Sequence, residues 1–314
     1  MVQFGLVVEN FTSPGKEPDF GSILKQCQRA EELGFDAIWV YDHLLLGAKR
    51  VFPILESLTT ITALSMGTSR IRFGTSILVL PLREPLLLAK VISTIHHITN
   101  GRLTLGVAAG WYEREFTACG VNFAQRGQIM EDNFVLIKRL LSEDDITTQV
   151  RGYEYKHVTI APKPAEGTRP KLLMGGYVER VLRRVGNLSD GWLSYYYTPD
   201  DFSTSWKKVQ QYAKDAGRDP SQLDNANMLP ICVASNSEEA EKKIRDFTRQ
   251  YMDLPSWSSA KVESGVTGRA EQCEKTIRAH IRAGVRNVIF IPAFYDPEQV
   301  EAIGSELIPR FQGK

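Results

Sequence analysis

Cysteine is scarce and scattered. Cys27, Cys119, Cys232 and Cys273 form no C-x-x-C pair, and they read as reduced thiols of a cytoplasmic protein. Histidine is as sparse: His43, His96, His97, His157 and His280 show no H-E-x-x-H spacing, and adjacent His96 and His97 cannot place both rings on one helix face. A metal site is therefore not expected. No apolar run approaches the ~20 residues of a transmembrane helix. The first eight residues lack a basic region and a small-residue cleavage site, so no secretory leader is expected. Charge of one sign is lacking too. With 38 basic against 37 acidic side chains, nothing electrostatic favours nucleic acid or an anionic membrane as partner. No 20–50-residue repeat is visible.

What is present is an ordinary globular composition, 43% hydrophobic and 24% charged over 314 residues. At ~150 residues per domain the length suggests about two domains, yet an α/β barrel of ~250 residues fills it as one. Short β-rich runs alternate with longer helical stripes from end to end. The spacing predicts strands at 4–8, 36–40, 71–77, 103–107, 171–174, 191–194, 228–234 and 287–291, with Pro230 weakening the seventh. Helices are predicted over 23–33, 55–64, 85–100, 129–141, 177–185, 201–216, 237–251, 271–283 and 297–311. Residues 142–170 read as an insertion after the fourth helix with a hairpin, and 252–268 as a second insertion between strands seven and eight. Eight mostly apolar strands separated by helices argue for a parallel sheet covered by helices. Even spacing favours closure into a single (β/α)8 TIM barrel over residues 1–314; a doubly wound open sheet is the rival.

In such a barrel the polar residues just after each strand are the candidates for chemistry. Strand two ends in Tyr41-Asp42-His43, where an imidazole can exchange protons near neutral pH and the adjacent carboxylate can bias its charge. The same pair also reads as a capping Asp and a surface His. Gly175-Gly176 before a helix is a candidate anion site, with Arg180, Arg183 and Arg184 close in sequence, or simply a tight turn. Gly106-x-x-x-Gly110 is no dinucleotide fingerprint. Arg83 either binds an anion or pairs with Glu84 or Glu56. Trp111 is a pocket wall or core, and Cys119 has no base beside it.

One family is similar to these residues taken together. Gly74-Thr75-Ser76-Ile77-Leu78-Val79-Leu80-Pro81-Leu82-Arg83-Glu84-Pro85, then Gly101-Arg102-Leu103-Thr104-Leu105-Gly106-Val107, Gly110-Trp111 and Glu115-Phe116, resemble the luciferase-like monooxygenase superfamily. The segment from Ala30 to His43, Met174-Gly175-Gly176 and Asp190-Gly191-Trp192 extend the resemblance over about residues 2–195. It implies a TIM barrel, commonly a homodimer, that holds FMN or the deazaflavin coenzyme F420 at the strand C-termini. The Asp-His turn and the Leu-Pro-Leu-Arg loop look most like the F420-dependent branch.

By that resemblance His43 is the catalytic proton-transfer group near the reacting ring, and Asp42 binds or orients the ring. Thr75 and Ser76 back it at a non-proline cis peptide. Ala108, Ala109 and Gly110 contact ring and ribityl chain, although the family often has glycine where this chain has Ala108-Ala109. Gly175 and Gly176 take the phosphate. Trp111, Tyr195 and Tyr197, with Tyr196, Trp257 and Phe294, are candidates for a substrate pocket beneath a lid at 252–268. The expectation is an F420-dependent oxidoreductase acting on a small organic substrate. Alternatives are an FMN-dependent monooxygenase fed by a separate reductase and a flavin-binding barrel without turnover.

Overall fold

The apolar runs become strands buried on both faces. The computed structural model describes residues 2–47, 51–165, 167–252 and 265–312. Its strands are β1 (Gln3–Val7), β2 (Ala37–Val40), β3 (Arg72–Val79), β4 (Leu103–Ala108), β5 (Ile146–Val150), β6 (Tyr153–Val158), β7 (Lys171–Gly175), β8 (Gly191–Tyr195), β9 (Asp224–Val233), β10 (Val266–Gly268) and β11 (Asn287–Pro292). Helices are α1 (Phe20–Glu32), α2 (Ser57–Ser65), α3 (Pro85–Ile98), α4 (Glu113–Ala118), α5 (Arg126–Ser142), α6 (Glu179–Leu188), α7 (Pro199–Asp215), α8 (Ser237–Met252), α9 (Ala270–Arg282) and α10 (Pro297–Ala302).

Parallel pairing runs β1-β2-β3-β4-β7-β8-β9-β11 and back to β1. The sheet closes on itself, so the barrel is realised and the open-sheet alternative is not. β5 and β6 form the antiparallel hairpin expected in the first insertion. This insertion lies against α3, where Lys90 and Ser93 donate to the carbonyls of Ala161 and Pro162.

Three features depart from the expected pattern. α4 has only six residues, too few for a helical period to register. The tail of the second insertion is a short strand, β10, parallel to β9; residues 253–264, with Trp257, lie outside the described residues. β9 begins earlier than expected and carries Pro230 inside it. Met228 presents its carbonyl to the Tyr196 amide on the β8 side, and by the two-residue period Pro230 faces the same way. Pairing with β8 ends at Met228 and pairing with β10 begins at Ile231. The missing N–H therefore falls in a gap between two partners.

Two apolar clusters sit on either side of the barrel wall. The outer one joins the strands to the helices and includes Phe73, Phe134, Trp192, Phe202 and Phe290. The inner one fills the barrel with Val7, Trp39, Leu173, Leu193, Met228 and Ile289. Trp39 fits because its neighbours are small: a Cβ on Gly5 would lie 2.6 Å from its Nε1, and one on Gly74 2.4 Å from its Cε3. At the N-terminal end the barrel is sealed by polar pairs, among them Lys171–Asp224 at 2.6 Å and Asn287 donating to Asp224 at 2.8 Å. A buried polar chain links Ser194, Asn227 and His280 behind β8 and β9. Burial there pushes the His280 imidazole down to about 4, so it is a neutral core side chain. No helix among the described residues is long and apolar enough to cross a membrane.

Candidate active site at the strand C-termini

The turn after β2 divides its two ionisable residues between opposite tasks. Asp42 was expected to bind or orient a ring; the structure buries its carboxylate in the wall between β2, β3 and α2. Its Oδ1 accepts from Arg83 Nη2 at 2.7 Å and Ser57 Oγ at 2.9 Å, and its Oδ2 from the Val79 amide at 2.9 Å. The physical reason is Arg83, which needs a buried counter-charge and also pairs with Glu56 at 2.9 Å. Burial pushes the Asp42 carboxyl up, and Arg83, Val79 and Ser57 pull it back.

His43 turns the other way, and its carboxylate partner is not Asp42. Its Nδ1 lies 3.0 Å from Glu115 Oε2. Glu115, 1% exposed on the short helix α4, also accepts the Leu44 and Leu45 amides on Oε1 at 2.6 and 3.0 Å. The Trp111 indole stands edge-on to the imidazole, with ring centroids 5.6 Å apart. Glu115 is the site residue that sequence reasoning missed. It appeared only as part of a family motif, and 72 positions separate it from His43.

Beyond Thr75, β3 carries the expected non-proline cis peptide, at Ser76–Ile77. Its register against β4 shifts between Thr75 and Leu78. Thr75 Oγ1 donates to the Gly106 carbonyl at 2.8 Å. The Ile77 side chain crosses into the barrel over two glycines. A Cβ on Gly175 would stand 1.9 Å from Ile77 Cδ1, and one on Gly106 3.2 Å from Ile77 Cγ1. The structure thus brings Thr75, Ser76, Gly175 and the β4 end together around Ile77.

The rest of the rim is built of small residues, half-buried except for Gly175, which lies buried under Ile77. Ala108, Ala109 and Gly110 end β4, and Gly175-Gly176 end β7. Gly176 has φ +131°, a conformation for glycine, and its carbonyl accepts Trp192 Nε1 at 2.8 Å. The helix that follows, α6, has no side-chain cap at its N-terminus. Val181 and Leu182 donate to the Val178 carbonyl, which leaves the Glu179 and Arg180 amides for an anion. Glu179 in that turn is neutralised by Lys208 at 2.7 Å. Arg184 is turned to Glu131 and Arg183 lies over the Tyr212 ring; Arg180 and Arg183 are both exposed.

The three tyrosines at the end of β8 separate. Tyr195 belongs to the inner cluster beside Tyr177, with centroids 6.0 Å apart. Tyr196 has φ +56°, which breaks the strand alternation and turns its ring inward as well. Tyr197, expected in the pocket, is corrected to the outer layer, where it packs edge-on against Trp192 at 5.2 Å. Phe294 packs on Phe247 and Tyr251 at the β11 end.

A planar ring with an anionic tail fits this rim. The β4 and β7 ends offer backbone without bulky side chains, an uncapped helix N-terminus follows Gly176, and the Tyr112 hydroxyl is buried without a partner next to Trp111.

The family described as "Luciferase-like monooxygenase" matches residues 2–290. A 5,10-methylenetetrahydromethanopterin reductase of Methanolobus tindarius is 27% identical over 214 residues, 68% of this chain and 61% of the relative. A 4-hydroxyprotoasukamycin monooxygenase of Streptomyces nodosus subsp. asukaensis is 26% identical over 262 residues, 80% of this chain and 69% of the relative. The chain spans about three fifths of the length of the first curated relatives it matches. Among solved structures, an F420-dependent secondary alcohol dehydrogenase in complex with an F420-acetone adduct superposes with a TM-score of 0.82 at 17% identity, covering 98% of both chains. At that identity the likeness speaks for the fold.

Proposed function

The chain belongs to the luciferase-like monooxygenase family, and from that premise we propose that it is a flavin- or deazaflavin-dependent oxidoreductase of small organic substrates, with F420 as its cofactor. The observation that carries this reading is His43, held by Glu115 at a rim otherwise built of small residues. The relatives support it, since an F420-dependent dehydrogenase shares the fold and a methylenetetrahydromethanopterin reductase is 27% identical over 214 residues.

When bound, F420 supplies hydride chemistry and reacts poorly with oxygen. Ala108, Ala109, Gly110 and the Ser76–Ile77 bulge hold the ring, while the Gly176 turn and the first amides of α6 hold the phosphate. Asp42 orients through the backbone it fixes, because its carboxylate is occupied by Arg83, Ser57 and Val79. His43 gives or takes the proton that accompanies hydride transfer. Trp111 and Tyr195 wall the substrate side and exclude water. The monooxygenase of Streptomyces nodosus subsp. asukaensis, alike over 80% of this chain, favours one second reading: reduced FMN from a separate reductase, with oxygen as co-substrate. Stopped-flow mixing in the presence and absence of oxygen decides between them. A rate of reduced-FMN oxidation by oxygen that the protein changes relative to a protein-free control would overturn the F420 reading in favour of the second.

The same reading includes a homodimer. A groove of about 760 Å³ runs between α2 and α3, lined by Leu58, Met66, Leu87, Val91 and Ile98. Met66 and Leu87 are 75% and 65% exposed, apolar surface that a second copy would cover. Sedimentation equilibrium should return twice the chain mass and, for Leu87→Glu, the single chain mass. A native monomer would contradict the dimer.

A further inference from the structure

We infer that Glu115 is a positioning residue that fixes the tautomer of His43, keeping a proton on Nδ1 and leaving Nε2 as the atom that exchanges protons at the rim. This rests on the reading of His43 as the proton-transfer group, but the tautomer can be observed without it. Glu115 Oε1 is taken by two backbone amides, Leu44 at 2.6 Å and Leu45 at 3.0 Å, which fix the carboxylate's orientation. Only Oε2 remains, and it faces His43 Nδ1 at 3.0 Å. A carboxylate held by two amide donors on Oε1 offers Oε2 as an acceptor, so the hydrogen bond runs from Nδ1–H to it. Nε2 has no hydrogen-bond partner among the described residues. A ring anchored at one nitrogen presents the other in a known protonation state, which is what general acid–base work requires.

Glu115→Gln reverses this arrangement with almost no change of shape. The amide oxygen must stay on the Leu44 and Leu45 N–H groups, since turning the NH2 there would set donors against donors. The NH2 then faces Nδ1, which must accept, and the proton moves to Nε2.

The experiment uses the full chain labelled with 15N-histidine and two-bond 15N–1H correlation at a pH where the ring is neutral. The His43 signals are identified, among those of the five histidines, by their loss in His43→Asn. The expected result is protonated Nδ1 in the native chain and protonated Nε2 in Glu115→Gln, with kcat reduced about as far in Glu115→Gln as in His43→Ala. A native ring protonated on Nε2 would overturn the inference, as would an unchanged tautomer in Glu115→Gln. The native spectrum alone decides if that variant does not fold. If the tautomer reverses but His43→Ala keeps full turnover, the positioning role stands and the proton-transfer reading falls.

Discussion

His43→Ala lowers turnover about 10²–10⁴-fold, the usual range for a lost general acid–base group, while ring binding persists. The expectation follows from how the imidazole is mounted. It sits just beyond β2, with Nδ1 on the buried Glu115 carboxylate and its face closed by Trp111 at 5.6 Å. Its supports, Trp111 and Glu115, come from the segment after β4 and not from the strands, so its loss removes a reacting group without dismantling the barrel. Retained binding separates this from collapse of the site, and circular dichroism checks that the fold is intact. Full turnover in His43→Ala would reduce the residue to a partner of Glu115.

Asp42→Ala should cost about 3–5 kcal/mol of unfolding free energy, the range for removing one partner of a buried ion pair. Three donors lose their acceptor at once: the Arg83 guanidinium, the Ser57 hydroxyl and the Val79 amide. Arg83 is the largest contributor. Its side chain is 17% exposed, its Nε is already buried without a partner, and Glu56 alone would remain to balance its charge. Urea midpoints measure the loss. The double variant Asp42→Ala/Arg83→Met should recover part of it, because an unpaired buried charge costs more than an apolar replacement. A single-variant loss below 1 kcal/mol would show that the network contributes little.

Much of the architecture could be read from the chain because the barrel repeats one local rule. A run apolar on both faces, a glycine stop and an amphipathic helix recur from β1 to α10, and each is a short-range pattern. Elements that escaped are too short to carry a period, such as α4 with six residues and β10 with three. Pro230 looked like a strand-breaker because sequence gives no sign that its missing amide faces the gap between β8 and β10.

The candidate site was legible by position and misread in its pairings. Strand ends pointed to His43, Thr75-Ser76 and Gly175-Gly176, and the structure places these residues at or near the C-terminal ends of β2, β3 and β7. The carboxylate adjacent to His43 in sequence, Asp42, belongs to Arg83, and its actual partner comes from α4. That contact depends on how two loops meet above β2 and β4, which no local pattern records. Tyr197 was misplaced for a similar reason: the left-handed backbone at Tyr196 breaks the alternation that would have put Tyr195 and Tyr197 on the same side.

The decisive measurement is a titration of the purified chain with F420, and in parallel with FMN, followed by ring fluorescence. A saturable change at one F420 per chain is expected, with FMN binding more weakly. Fluorescence unaltered by either ring at saturating protein would contradict a redox cofactor at the rim, whatever the barrel's resemblance to its relatives.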